Sequence, residues 1–340
     1  MDYNEILEKA RGRVAPYCKA CPVCNGIACA HNMPGPGPKQ PGNGAARNYE
    51  AWQRVFVNMD TICSNDAPDT TFKLYGHEFS LPVFIAPVGG VALHYGDDYN
   101  DFTYNDVIIP AAAECGSAAF SGDGVDPEVM KRASATMAQL GGMGIPTIKP
   151  WNIEAVEEKL DILNSRGIFA AAMDIDGAGL PFLKAMNPNA GSKSVAELSE
   201  IIKYAKMPFI VKGIMTVRGA EKAVEAGAAG IVVSNHGGRV LGQTRASADV
   251  LPEIAAAVGG QTTIFVDGGL RNGVDIFKAL ALGADAVLIA RPFVTAVYGA
   301  AEEGVRVLYA KYLSELKDTM TMCGAHSLDE ICADMVHVGA

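Results

Sequence analysis

Gly230-Ile231-Val232-Val233 runs directly into Ser234-Asn235-His236-Gly237-Gly238-Arg239. A short β-branched run of this kind reads as a strand buried on both faces, so the polar cluster marks where that strand meets solvent. His236 is the one side chain of the cluster whose ordinary pKa lies near neutrality. Arg239, three residues on, offers a planar fork suited to a carboxylate. Neither Gly237 nor Gly238 has a Cβ, which lets backbone approach a flat ligand closely. A base, a cation and an open backbone surface therefore share one loop at a strand end.

Working outward from this strand, short β-rich runs alternate with amphipathic helical stretches from residue 72 onward. That rhythm predicts parallel strands with crossover helices. Eight strands are predicted: Val83 to Ala86, Ser117 to Phe120, Pro146 to Ile148, Phe169 to Met173, Phe209 to Val211, Gly230 to Val233, Thr263 to Val266 and Ala286 to Ile289. Helices are predicted over Tyr104 to Glu114, Pro127 to Gln139, Ile153 to Ser165, Val195 to Ala205, Val217 to Ala226, Ala248 to Val258 and Val274 to Leu282, with an eighth after Phe293. Eight consecutive units without a break match a (β/α)8 TIM barrel, an α/β fold whose working face lies at the strand C-termini.

The residues just past the strands fit that face. They are Pro87-Val88-Gly89-Gly90, Ser121, Lys149, Asp174, Lys212, the Ser234 to Arg239 cluster, Asp267-Gly268-Gly269 and Arg291. In such barrels the loops after strands seven and eight commonly hold a phosphate. Here they are the Gly-rich turn Asp267-Gly268-Gly269-Leu270-Arg271 and the sequence Ala290-Arg291-Pro292, and together they imply a phosphorylated cofactor. Lys212 is expected to be buried and to need a negative partner, which a ring that becomes anionic on reduction would supply.

Residues 1–71 are read as a Cys-rich and helical extension and residues 72–340 as the barrel. Helices are predicted at 4–13 and from Ala45 to Asn58, with a Pro/Gly-rich connector from Met33 to Gly44 between them. Four of the eight cysteines, Cys18, Cys21, Cys24 and Cys29, fall in a C-x2-C-x2-C-x4-C pattern. Thiolates on such a loop suit an iron–sulfur cluster or zinc; the competing reading is a loop of free or reversibly oxidised thiols. The chain of 340 residues carries a net charge of −10, which opposes nucleic-acid binding. It has no uninterrupted apolar run of membrane-spanning length, and its first residues hold no apolar signal core. A soluble, cytoplasmic protein with reduced thiols is the expectation.

Val211-Lys212-Gly213, the SNHGGR stretch at 234–239, Leu251-Pro252-Glu253-Ile254, Asp267-Gly268-Gly269-Leu270-Arg271 and the run from Phe277 to Arg291-Pro292 closely resemble the FMN-dependent α-hydroxy-acid oxidase and dehydrogenase family of glycolate and lactate oxidases. The likeness is dense from 207 to 292. It thins but persists in Ile85-Ala86-Pro87, at Asp174 and from Met322 to Ile331. The resemblance implies that Lys212 faces the flavin N1/O2 edge and that His236 takes a proton from a 2-hydroxy acid. It further implies that Arg239 holds the substrate carboxylate and that Asp174 supports His236 as its imidazolium forms. Ala86, Pro87, Val88 and Gly89 would run beside flavin N5 and O4, with Ser121, Thr147 and Ser234 as polar contacts. Asp267, Gly268, Gly269, Arg271, Ala290 and Arg291 would take the ribityl chain and phosphate.

The departures fall on the substrate side. The family's second arginine, after strand four, is absent from Asp174-Ile175-Asp176-Gly177-Ala178-Gly179-Leu180-Pro181. Asp123 and Lys149 stand near where pocket aromatics are expected, which marks both as substrate-side candidates. Lys149 or Lys184 would replace the lost cation, and Tyr17, His94 and Tyr95 are further pocket candidates. Gly177 to Val195 is too short and polar for the hydrophobic insert of membrane-bound relatives. The resemblance implies a homotetramer or octamer. Two other functions stay open, an FMN-dependent reductase or isomerase and a flavin or Cys-metal electron-transfer subunit. The second electron acceptor is oxygen, a quinone or a protein.

Overall fold

Each of the eight predicted runs overlaps a strand of one parallel barrel: β1 Val83–Ile85, β2 Phe120–Ser121, β3 Ile145–Ile148, β4 Ala171–Asp174, β5 Phe209–Ile214, β6 Gly230–Val233, β7 Thr263–Asp267 and β8 Ala286–Ile289. The computed structural model describes residues 1–124, 126–180, 183 and 190–339. Neighbours run β1-β8-β7-β6-β5-β4-β3-β2, and a parallel bridge between Ile85 and Ala119 brings β1 back beside the segment entering β2. The ring is thereby closed and leaves no long open edge.

The two-residue alternation of each strand explains its β-branched and aromatic composition. Phe84, Phe120, Ile210, Val232, Phe265 and Leu288 belong to the inner core, whereas Val83, Ile85, Val211, Ile231, Val233, Val266 and Val287 pack in the outer core under the helices. A hairpin of Phe72–Leu74 paired with His77–Phe79 joins the inner core, with Phe79 edge-on to Phe84 at 5.1 Å between ring centroids. Each buried Phe contributes roughly 1.5–3 kcal/mol, so this cluster holds the inner core firmly beneath the strand C-termini.

The N-terminal segment is folded onto the barrel. Helix α1, Tyr3–Arg11, begins with a capping box between Asp2 and Glu5 and buries Ile6, Leu7 and Ala10. It packs on the last helix, Arg291–Cys323, at Gly299, where a Cβ would lie 2.3 Å from the Ile6 carbonyl oxygen. Helix α2, Gly44–Gln53, is shorter than the predicted Ala45 to Asn58. The difference has a physical reason: Val55-Phe56-Val57 pairs antiparallel with Val336–Val338, and β-branched residues with a partner strand at hand favour that ladder over another helical turn. Among the described residues no helix is long and apolar enough to cross a membrane.

Candidate active site

The strand C-termini surround a cavity of about 480 Å³, within the ~300–1,000 Å³ usual for small-molecule sites. Ala86, Pro87, Val88 and Gly89 form one wall, and Gly268, Gly269, Arg271, Ala290 and Arg291 form another. Lys149, Asp174, Lys212, His236, Arg239 and Asp267 line it too. The structure therefore gathers most of the predicted site around one space.

At the catalytic loop His236 adopts φ +58, followed by Gly237 at +63 and Gly238 at +78. Three consecutive left-handed residues turn the chain sharply after β6. A Cβ on Gly237 would stand 2.5 Å from Arg291 Nη2, and one on Gly238 would stand 2.8 Å from the Gly44 Cα. These glycines thus admit the Arg291 side chain and the start of α2, and Gly237 also lines the cavity.

His236 Nδ1 lies 3.1 and 3.2 Å from the two carboxylate oxygens of Asp176. A carboxylate can only accept, so Nδ1 carries the proton and Nε2 is left as a lone pair able to act as a base. This corrects the expectation for Asp174. Its carboxylate is held by the Lys149 and Lys212 ammonium groups, the latter 3.4 Å away, and the carboxylate paired with His236 is Asp176, two residues on. Burial would push the Asp174 carboxyl up, but the charges of Lys149 and Lys212 hold it well below the usual carboxylate range.

Lys212 is 3% exposed and sits between Asp174 and Asp267, 3.4 Å from each, while donating to Ser234 Oγ at 3.1 Å. Burial opposes its charge. Asp267, Asp174 and Asp176 outweigh that effect and raise the ammonium's pKa above its ordinary value. The negative partner that the sequence reading sought in a ligand ring is therefore supplied by the protein.

Asp123 lies on the cavity wall with Lys149, and its carboxylate is already engaged by the protein. It is fully buried and accepts from the Lys149 backbone N–H at 3.0 Å, Trp151 Nε1 at 2.6 Å and Lys159 Nζ at 2.7 Å, which makes it a brace for the turn after β3. Arg239 is also more engaged than a free clamp. Its Nη1 donates to the carbonyls of Gly35 and Gly37, and its Nη2 lies 3.1 Å from His94 Nε2. Burial and the neighbouring Arg239 push His94 down to about 4, so that imidazole is neutral at pH 7. Tyr95 is also in the cavity wall, as is His94. Tyr17 is not among the residues lining it, and Lys184 lies outside the described residues.

Two braces had no sequence signal. Asn48 of α2 and Asn235 exchange a pair of amide hydrogen bonds, and Trp52 Nε1 donates to the Gly268 carbonyl at 2.8 Å. The Asp176 role had a faint one, since it lies within the same strand-four end as Asp174. Only the packing distinguishes the two carboxylates.

The residues fit a phosphorylated flavin. Asp267 Oδ1, on the cavity wall, is buried without a protein hydrogen-bond partner, which is costly unless a ligand completes it; Ser121 Oγ and Thr147 Oγ1 are likewise unpartnered, although neither residue is among those lining the cavity. Gly268 and Gly269 both take φ +90, which turns the backbone after β7. The helix beginning at Arg291 starts on the same cavity and contributes its N-terminal dipole where a phosphate would bind. The four cysteines are all free, and burial pushes the Cys18 thiol up to about 12, with Cys24, Cys29 and Cys21 adding repulsion.

Comparison with known proteins agrees with this site. A family model described as FMN-dependent dehydrogenase matches residues 37–119 and 143–338. A peroxisomal (S)-2-hydroxyacid oxidase of Arabidopsis thaliana is 29% identical over 85% of this chain and 86% of its own length. A 4-hydroxymandelate oxidase of Amycolatopsis orientalis is 29% identical over 83% of this chain and 86% of its own. Among solved structures, a mandelate oxidase variant carrying a monooxide FMN adduct superposes with a TM-score of 0.75 at 28% identity, covering 90% of this chain and 94% of that one. With the family model spanning both the flavin walls and the histidine loop, the chain belongs to the FMN-dependent dehydrogenase family and is an FMN-dependent oxidoreductase.

Proposed function

We propose that this enzyme oxidises a 2-hydroxy acid to the 2-oxo acid, with His236 as the base. The observation that carries the reading is the His236–Asp176 pair at the cavity wall, beside the doubly paired Lys212. The names of the relatives, oxidases of 2-hydroxy acids, support the substrate class.

Bound FMN supplies a two-electron acceptor. His236 takes a proton from the substrate at Nε2, and Asp176, fixed on Nδ1, steadies the imidazolium as it forms. Lys212 sets a buried positive charge next to the flavin walls, which favours negative charge arriving there. Ser121, Thr147 and Asp267 hold the cofactor through their free polar atoms, and Arg271 and Arg291 hold its phosphate. Among the described residues, Arg239 and Lys149 are offered for the substrate carboxylate, since no arginine follows β4. Lys149 sits on Asp174, so a carboxylate arriving there has to share it, which makes the substrate end of this site distinct from a two-arginine clamp. The family reading also carries a cytoplasmic homotetramer or octamer, which light scattering and cell fractionation check.

The test is anaerobic titration of the FMN-loaded protein with small and bulky 2-hydroxy acids. Flavin absorbance is expected to bleach with at least one acid and to stay unbleached in His236→Ala. A flavin that no acid reduces, but that a reduced nicotinamide bleaches and an enoate then reoxidises, would replace this reading with an FMN-dependent reductase.

A further inference from the structure

The hydroxy-acid chemistry leaves the four N-terminal cysteines unused. We propose that Cys18, Cys21, Cys24 and Cys29 ligate a four-iron iron–sulfur cluster in a second cavity that adjoins the flavin site at its phosphate end.

All four line one cavity of about 320 Å³. None is paired in a disulfide, and two left-handed residues in the loop, Ala20 at φ +41 and Gly26 at φ +78, turn the short peptide around that space. A Cβ on Gly26 would meet Ala45 at 2.8 Å, so the loop is seated directly on the start of α2.

Size decides between the metals. A mononuclear zinc site with ~2.3 Å Zn–S bonds draws its sulfurs to about 3.8 Å of one another. Among the described residues the one group of three or more potential ligands lying within 4.8 Å of one another is Asp174, Asp176 and His236, so no three cysteine sulfurs are that close. A four-iron cluster carries its four thiolates at the corners of a larger body, so it takes cysteines spaced more widely than a single zinc ion does.

Charge points the same way. Lys19, Arg271, Arg291 and Lys311 line the cavity against a single carboxylate, Glu315, in a chain whose net charge is −10. A locally basic space in an acidic protein suits a group that carries four thiolates and is anionic overall. Arg271 ties the two sites together: its Nε donates to the Cys24 carbonyl at 2.6 Å, and Tyr95, Arg271 and Arg291 line both cavities. The cluster changes oxidation state by a single electron, with no bond made or broken and no proton moved. It therefore adds a one-electron store beside the two-electron flavin; this part of the inference rests on FMN occupying the neighbouring cavity.

The experiment uses full-length protein purified without oxygen and reconstituted with iron and sulfide. About four iron and four acid-labile sulfide per chain are expected, with an electron paramagnetic resonance signal after dithionite reduction. Reductive titration should take up about three electrons per chain in the native sequence and about two in the Cys18/Cys21/Cys24/Cys29→Ser variant. That variant should keep its flavin spectrum, and the single Cys21→Ser exchange should lower iron content by roughly half or more even if the fourfold variant fails to fold. One zinc per chain, iron that survives loss of the cysteines, or flavin alone after reconstitution would overturn the assignment. Protein that holds iron and sulfide but no flavin would instead remove the FMN reading and leave the cluster in place.

Discussion

Asn48 and Asn235 face each other with both amides reciprocally bonded, at 2.7 and 2.8 Å, although 187 positions separate them in the chain. Both are buried. Asn235 also orders its own loop, accepting from the Gly238 backbone N–H at 3.3 Å and donating to the Arg245 carbonyl at 3.0 Å. Through this pair, and through Trp52 on Gly268, one helix that precedes the barrel braces both the histidine loop and the phosphate loop.

Removing either amide leaves its partner buried and unbonded. Asn48→Ala and Asn235→Ala are each expected to cost roughly 1–3 kcal/mol, and the double variant little more than the worse single. Urea denaturation of the four proteins checks this; additive losses would mean that the two amides act independently. FMN affinity should fall in all three variants, because the loops that carry His236 and Gly268 lose the same brace.

The two carboxylates after β4 should separate in kinetics. Asp176→Asn removes the carboxylate charge that holds the proton on Nδ1 and steadies the imidazolium, so flavin reduction by substrate is expected to slow by ~10²-fold or more with FMN still bound. Asp174→Asn strands the Lys149 ammonium and half-strands Lys212. It is expected to lower stability by about 3 kcal/mol and to weaken FMN retention. Stopped-flow bleaching and denaturation curves measured on both variants decide the matter, and the reverse pattern would return the supporting role to Asp174.

Gly237→Ala places a methyl group 2.5 Å from Arg291 Nη2 at a residue with φ +63. Both the strain and the displaced guanidinium act on the phosphate side. FMN dissociation is expected to rise by ~10-fold or more, consistent with a cost of about 1–2 kcal/mol. Fluorescence titration of the apoprotein with FMN measures it, and an unchanged affinity would show that Arg291 does not hold the phosphate.

His94 gives the protein a pH-dependent term of known sign. Its folded value of about 4 lies below its ordinary 6.5, so between those pH values the unfolded chain takes up a proton that the folded chain refuses. Stability is therefore lost as pH falls from 6.5 towards 4 and levels off below. Thermal midpoints across this range should fall more steeply for the native sequence than for His94→Gln. Equal slopes would remove His94 as the cause. The carboxylates held low by their partners, such as Asp174, act in the same direction but below pH 3.8, outside this window.

The sequence by itself determined the barrel and its working face. Runs such as Ile231-Val232-Val233 and Ala286-Val287-Leu288-Ile289 are apolar on both sides because a parallel strand between helices is buried on both sides, and polar residues can appear only where each run ends. Local chemistry therefore located His236, Lys212, Asp267 and the Gly268-Gly269 turn. Tertiary structure decided what those groups touch. Whether His236 pairs with Asp174 or Asp176, how Asp123 and Arg239 are engaged, and why Val55-Phe56-Val57 leaves the helix for a strand all depend on partners far away in the chain. Such contacts are chosen by packing and by the cost of leaving a buried charge or amide unpaired, and neither is written in the order of neighbouring residues.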